Sequence, residues 1–561
     1  MLPFFSLIIL FTIYLANWAN SEIINTGYGS IQGLEVWRNH KLYHSFKKIP
    51  FAAPPLGKLR FQKPENPELW TEIRDGTAYG PACMTNSTTS KSIPKWIDED
   101  CLYLNIFVSD YCLKSKNCST AVYIHGGGLN YDSAVMFNDT FLLDSFCSRD
   151  VILVIPAFRL GIFSHLIFKD QKVVPYNIAI FDILKAIDFV NQEIQHFGGN
   201  SQNITLMGHS FGGTITSNLL FSTKIPKKFQ KIVSMSTTST FKSIEESRKL
   251  TDKFLRISGC EFRRDSDSLQ CLEKLDAREL LRIQRKMEEE DPKNIFESVF
   301  QELPLFQPGT IGNFYKNPTI MPYLTGVVTH ELEKNQESTE LARIIDFKNK
   351  KEVYTKYRMD KKLGKLKFNH TDNTQQFFLD TAFRIREMRK IGAPAYLYEY
   401  SNSKHSLHTD DLYYIMGVHP FNKTVDEQKL SEVYPEYFMN FIKFGKPAEI
   451  WEISNGTSYF DIDWSEENGK RPQMRNGFEQ EIIDYWFVEM REFDELVEKT
   501  KSAPKYRNFS ILSENSIPIP WFWILMIFLV GMILGRFCLC SPKKSIYIQI
   551  PGNNYEKIAE I

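Results

Sequence analysis

The 561-residue sequence has no charge bias, since 67 Lys and Arg balance 67 Asp and Glu. A nucleic-acid surface needs an excess of positive charge, so no nucleic-acid partner is implied. Internal repeats and low-complexity tracts are also missing, which excludes a solenoid or an array of small modules. Cysteine is sparse at nine residues. Aromatics are abundant at 14%, with 43 Phe and 25 Tyr, enough to fill a large core. Length alone suggests several domains.

Two stretches lack charge altogether. Leu2 to Leu15 is an apolar run followed by Ala19-Asn20-Ser21. It reads as a secretory signal peptide over 1–21, although it lacks a basic start. Residues 517–535 carry no charge, with Trp521 and Trp523 near one edge and Arg536 after the other. A run of that length spans a bilayer, so a transmembrane helix is expected over 517–535. A cleaved signal plus one span implies a single-pass type I protein of the plasma membrane. The bulk of the chain is then extracellular and the tail 536–561 cytoplasmic. Arg536, Lys543 and Lys544 fit that orientation. Residues 501–516 read as a polar stalk. Gly531 and Gly535 form a Gly-x-x-x-Gly step that lets two such helices pack closely, giving a homodimer as an expected assembly.

Cysteines and sequons agree with that layout. Cys538 and Cys540 follow the span and are candidates for palmitoylation. The others precede it, where disulfides persist. Proximity suggests Cys83–Cys101, Cys112–Cys118 and Cys260–Cys271 with Cys147 left over, although connectivity does not follow from sequence. Asn-x-Ser/Thr sequons stand at Asn86, Asn117, Asn138, Asn203, Asn369, Asn422, Asn455 and Asn508, all before the span. Asn203, beside a strand, looks crowded for a glycan.

Continuous apolar runs mark the strands. Ala121–Ile124, Val151–Ile155, Ile204–Met207, Lys231–Met235, Thr319–Val327 and Ala395–Tyr400 read as strands. Residues 178–197 place Ile180, Leu184, Ile187, Val190 and Ile194 at helical spacing. Such alternation means a sheet buried on both faces, hence an α/β fold. Residues 243–300 have a helical period, and Arg285–Glu290 reads as a solvated helix face. From 425 to 500 the pattern is helical and irregular.

The chain is organised around Gly208-His209-Ser210-Phe211-Gly212. It follows the 204–207 strand and precedes a helix read from Thr214. Gly-x-Ser-x-Gly in that setting is a nucleophile elbow. Reversing a strand into a helix over one residue strains Ser210, and only small neighbours at 208 and 212 leave room. A serine is a weak nucleophile until a base takes its proton, and a tetrahedral oxyanion needs donors. His125-Gly126-Gly127-Gly128 directly follows the 121–124 strand, and its glycines let backbone N–H groups approach an oxyanion.

Here the chain resembles the type-B carboxylesterase and cholinesterase-like family of α/β-hydrolases. The marks are Gly29-Ser30-Ile31-Gln32-Gly33, Pro54-Pro55-Leu56-Gly57 with Arg60-Phe61, Glu99-Asp100-Cys101-Leu102-Tyr103-Leu104-Asn105, Phe158-Arg159-Leu160-Gly161 and Phe197-Gly198-Gly199-Asn200. The resemblance implies one large α/β-hydrolase domain over 22–500, with a mostly parallel central sheet flanked by helices. It implies that Cys83–Cys101 and Cys260–Cys271 are loop disulfides and that Arg60 pairs with Glu99. The triad order in this fold is Ser, acid, His. Carried onto this sequence, the acid is Glu331 within Gly326–Leu332, where Leu332 replaces the usual Gly. The base is His408 within His408–Tyr414, with His405 and His330 as nearby competitors. Gly127, Gly128 and Phe211 are the implied oxyanion donors. Phe211 replaces the usual Ala and is expected to narrow the acyl side.

The resulting expectation is a membrane-anchored extracellular serine carboxylesterase forming an acyl-enzyme on Ser210. It acts on a small-molecule ester and needs no cofactor or metal. The rival class is a catalytically weak or inactive cholinesterase-like adhesion protein. Such proteins share this layout and typically lose a triad member, whereas Ser210, Glu331 and His408 are all present here.

Overall fold

The computed structural model describes residues 21–85, 96–222, 228–238, 242–300, 305–306, 318–333, 341 and 345–502, and the backbone of 545–550 and 554–560. The chain divides into one unit of residues up to 346 with 367–488, and another of 347–366 with 489–561.

Among the described residues, the first unit is built on an 11-stranded sheet. In chain order its strands are β1 (Leu34–Arg38), β2 (Lys41–Pro50), β3 (Tyr103–Ser109), β4 (Cys118–Ile124), β5 (Val151–Pro156), β6 (Gly199–His209), β7 (Lys231–Met235), β8 (Tyr323–Val328), β9 (Ala395–Tyr400), β10 (Ser458–Ile462) and β11 (Gln473–Asn476). Their order across the sheet is β11-β10-β9-β8-β7-β6-β4-β5-β3-β2-β1. The run from β5 through β4, β6, β7, β8 and β9 to β10 is parallel. Both margins are antiparallel. Strands β4 and β5 are buried at every position, as expected of apolar runs covered on both faces. A small sheet of Ile23–Asn25, Ser30–Gln32 and Arg74–Asp75 stands apart from the main one.

The helices that cover the sheet and carry the site are α1 (Ile178–Glu193), α2 (Phe211–Leu219), α3 (Ile244–Ile257), α4 (Asp265–Lys274), α5 (Ala277–Glu290), α6 (Asp372–Lys390) and α7 (Val425–Phe444). Four of their starts are capped by side chains. Ser243 with Glu246, and Thr424 with Glu427, form capping boxes, while Asp276 and Thr371 accept from first-turn N–H groups. Helix α1 places Ile180, Ile183, Ile187 and Val190 inward.

Several expectations are corrected. The elbow helix begins at Phe211, three residues before Thr214, because the turn spends only Ser210. Residues 425–500 hold strands β10 and β11 besides helix, and β11 is a short polar edge strand without an apolar pattern to reveal it. The 285–290 stretch is not wholly solvated, since Met287 and Glu288 of α5 are buried.

The bonds Cys83–Cys101, Cys112–Cys118 and Cys260–Cys271 are present, and Cys147 is a buried free thiol. Arg60 grips Glu99 through two parallel hydrogen bonds, Nε to Oε1 at 2.6 Å and Nη2 to Oε2 at 2.5 Å. In the second unit, the Asp494 carboxylate accepts from the N–H groups of Lys348 and Asn349, at 3.0 and 2.7 Å, just ahead of the Lys350–Lys362 helix. Ser545–Ile550 and Asn554–Glu560 pair as an antiparallel hairpin.

No helix among the described residues is long and apolar enough to cross a membrane. The expected span 517–535, all of the expected signal peptide except Ser21, the expected stalk beyond Ser502, and Cys538, Cys540, Asn86 and Asn508 lie outside the described residues.

Candidate active site

Strands β4, β6, β8 and β9 run parallel, so their carboxyl ends share one edge of the sheet, where open α/β sheets hold their ligands. Strand β6 ends at His209. Ser210 then takes φ 54° and ψ −127°, a conformation costly for a residue with a side chain, and α2 begins at the next residue. Its N–H donates to Met235 O at 2.9 Å, which ties the turn to β7. The glycines are required by close approach. A Cβ on Gly208 would lie 2.4 Å from the Gly212 carbonyl carbon, and one on Gly212 would lie 2.1 Å from Ile124 O. Ser210 itself remains half-buried.

His408 lies in the loop after β9, and Glu331 in the turn after β8. His408 Nε2 stands 3.0 Å from Ser210 Oγ, and its Nδ1 stands 2.5 Å from Glu331 Oε2. With the proton on Nδ1 donated to the carboxylate, Nε2 is free to accept from the serine hydroxyl. The other Glu331 oxygen, Oε1, accepts the Val328 N–H at 3.0 Å, so the carboxylate is fixed at both ends. Glu331 is buried and His408 is partly exposed. Leu332, in place of glycine, is accommodated by Thr374 and Thr371. Its N–H donates to Thr374 Oγ1 and its carbonyl accepts from Thr371 Oγ1, both at 3.1 Å.

The His125–Gly128 turn leaves β4 beside the elbow. A Cβ on Gly126 would sit 3.1 Å from Ser210 Cβ, so the two turns touch. Gly127 and Gly128 adopt φ of 85° and 60° and are partly exposed. The turn is braced from behind. The buried His125 ring stacks on Phe158 with centroids 4.4 Å apart, and burial pushes its pKa down, keeping it neutral. Asn130 Nδ2 donates to Gly128 O at 2.7 Å, and Gln284 of α5 donates in turn to Asn130 Oδ1 at 2.9 Å. The Phe211 N–H opens α2, where no intrahelical acceptor exists.

Of the expected site residues, the structure therefore brings Ser210, His408 and Glu331 into one hydrogen-bonded chain, with Gly127, Gly128 and Phe211 on the turns beside it. The competing histidines are engaged elsewhere. His405 stacks on Phe421 at 4.1 Å with its Nδ1 2.5 Å from Glu427 Oε1, and His330 faces Glu333. A sequence model of the carboxylesterase family matches residues 20–486.

The chain belongs to the carboxylesterase family. It is a serine carboxylic ester hydrolase of the α/β-hydrolase fold, and small-molecule esters are the substrates that fit the family. Among similar proteins, an acylcarnitine hydrolase of Mus musculus is 26% identical over 489 residues, covering 79% of this chain and 86% of that protein. Carboxylesterase 5A of the same species is 27% identical over 500 residues, covering 79% and 84%. The solved structure of juvenile hormone esterase from Manduca sexta superposes with a TM-score of 0.68 at 22% identity, covering 84% of this chain and 100% of that one.

Some residues that shape this carboxylesterase site were not singled out from the sequence. The buried His209 ring lies 4.9 Å from the His408 ring, and burial together with His408 and His419 drives its pKa well below the ordinary value. It is therefore a neutral plate beside the His408 ring. Phe377 of α6 covers His408 from another direction at 5.3 Å. Asp411 is fully buried, and its Oδ2 accepts from Tyr434 at 2.8 Å and Tyr398 at 3.3 Å. Burial first, and the nearby Glu331 carboxylate as well, push its pKa up to about 7. Only His209 had a local signal, its place inside the elbow. The others arrive through the fold.

Proposed function

We propose that this chain is a membrane-anchored extracellular carboxylesterase that hydrolyses carboxylic esters through an acyl-enzyme on Ser210. The observation that carries the reading is the continuous hydrogen-bonded chain from Ser210 Oγ through His408 to Glu331, ending on a serine that is not sealed from solvent. His408 Nε2 takes the hydroxyl proton as Oγ attacks the ester carbonyl. Glu331 stabilises the imidazolium that forms. The N–H groups of Gly127, Gly128 and Phe211 receive the oxyanion, His408 returns the proton to the leaving alcohol, and a water repeats the sequence on the acyl-enzyme. Phe211 narrows the acyl side.

Support for the cellular placement comes from the apolar start over 1–21, the uncharged stretch 517–535 and the disulfides. The sequon residues Asn117, Asn138, Asn369, Asn422 and Asn455 are exposed. Asn203 is occupied instead, donating to Ser119 Oγ at 2.8 Å and accepting from Lys231. We therefore assign glycans to the exposed positions and none to Asn203. Pairing of spans through Gly531 and Gly535 gives a homodimer, and the tail from Arg536 is cytoplasmic.

The deciding experiment treats the purified full chain with a fluorophosphonate probe and a panel of aryl, acyl and choline esters, with Ser210→Ala as control. Labelling at Ser210 and turnover of at least one ester class support the reading. An unlabelled, inactive wild type overturns it in favour of an adhesion role.

A further inference from the structure

Outside the triad, one cluster of side chains carries ligand chemistry that ester hydrolysis does not use. His330 follows β8, Glu333 stands three residues on, and His370 precedes the Thr371 cap of α6. His370 Nδ1 lies 2.6 Å from Glu333 Oε1, and His330 Nδ1 lies 3.7 Å from that same oxygen. The ligand atoms of all three lie within 4.8 Å of one another. The two imidazole rings face each other with centroids 5.7 Å apart and planes tilted by 37°.

The cluster is held rather than loose. Glu333 Oε2 accepts the Thr371 N–H at 3.0 Å, which turns Oε1 toward both rings. Gln375 Nε2 donates to His370 O at 2.8 Å, and Phe378 packs edge-on against the His370 ring at 5.2 Å. His330 is half exposed, which leaves an open side for entry and for a water ligand.

We propose that His330, Glu333 and His370 form a binding site for one divalent transition-metal ion of the Zn2+ class. Two imidazole nitrogens and one carboxylate oxygen are the ligand set such ions take, at about 2.0 to 2.2 Å from the metal, with a fourth position for water. Ligand atoms around a tetrahedral ion stand a little over 3 Å apart, so the 2.6 and 3.7 Å separations found here need only small side-chain rotations. Hard ions such as Ca2+ and Mg2+, which prefer oxygen cages, are excluded by the imidazoles. A plain His–Glu ion pair accounts for His370 with Glu333. It does not account for a second imidazole turned toward the same oxygen.

The site reports on the triad because Glu331 lies between two of its ligands. The His330 N–H donates to Ser406 O at 2.9 Å, and the His408 N–H donates to Glu331 O at 3.1 Å. A metal bound by His330 and Glu333 therefore tethers the segment that carries the acid.

The test strips the purified full chain with a chelator and titrates it with Zn2+ by calorimetry, and with Co2+ followed by its visible ligand-field absorption. One equivalent is expected to bind. His330→Ala, Glu333→Gln and His370→Ala should each weaken binding by about tenfold or more. His330 is half exposed, so His330→Ala keeps the fold and reads the site alone. Absence of stoichiometric binding in the wild type, or unchanged binding in any of the three variants, overturns the three-ligand assignment.

Discussion

His408 is attached to Glu331 at two points. Its Nδ1 meets the carboxylate, and its peptide N–H donates to the Glu331 carbonyl at 3.1 Å. Glu331 thus sets the ring's orientation and also the position of the loop that bears it. These two links hold the His408 ring with its Nε2 3.0 Å from the Oγ of the strained Ser210.

Glu331→Gln separates those two functions. The peptide link survives, while the side chain can no longer hold an imidazolium. We expect kcat to fall by about 10^2 to 10^4-fold with little loss of folded protein. Steady-state kinetics beside a thermal melt checks this. A variant that keeps wild-type kcat would remove Glu331 from the mechanism.

In the proposed mechanism Ser210 and His408 act as a unit, so their losses should not add. Ser210→Ala and His408→Ala are each expected to cost about 10^3-fold or more, and the double variant about the same as either. Single-turnover assays on a chromogenic ester measure it. Multiplicative losses would mean that the two residues contribute independently.

Legibility followed locality. Strands β4 and β5 were readable because burial on both faces demands unbroken apolar runs, and the elbow because its steric demand is met by glycines at fixed offsets. Strand β11 was hidden, since an edge strand needs few apolar residues, and β10 because its five residues mix Ser and Asp with the apolar positions. No local pattern ties residues 210, 331 and 408 together, and only a family resemblance reached across that distance. Asn130, Gln284 and Asp411 were out of reach, because what they support is decided by packing between segments remote in sequence.

Phe211 is half-buried and directly follows Ser210. Phe211→Ala leaves the backbone donor in place and removes the ring. Relative kcat/KM should shift toward longer and bulkier acyl chains, by about tenfold or more, since one buried methylene is worth about 1 to 3 kcal/mol. Comparison of acetyl and longer acyl esters of one alcohol checks it. An unchanged preference would assign the ring to packing under the turn.

Arg159 and Asp182 form a buried pair, with Nε to Oδ2 at 2.8 Å and Nη2 to Oδ1 at 2.6 Å. Neither side chain has appreciable exposure. Asp182→Ala leaves a guanidinium without its partner, and we expect a loss of about 3 to 5 kcal/mol in stability. Denaturant titration measures this, and a loss under about 1 kcal/mol would show that the pair is relieved by water.

Asp411 gives the protein a pH-dependent stability of unusual sign for a carboxylate. Its folded pKa is about 7, against an ordinary 3.8, chiefly because it is buried. Between those values the folded state holds a proton that the unfolded state has released. The stabilisation is full below about pH 4 and is lost as pH rises through about 7. Glu399, also raised to about 7 by burial, acts in the same direction. Asp411→Asn cannot ionise, so it removes the pH-dependent part and adds only a pH-independent cost for its buried NH2. Its oxygen takes the Oδ2 position that accepts from Tyr434 and Tyr398, and its NH2 takes the place of Oδ1, which has no partner among the described residues. Denaturant midpoints at pH 5 and pH 8 should fall more steeply for the wild type than for Asp411→Asn, the difference amounting to a few kcal/mol at most. Equal slopes would mean that Asp411 ionises in the fold as readily as in water, and that its carboxylate is solvated by a route the tyrosines do not supply.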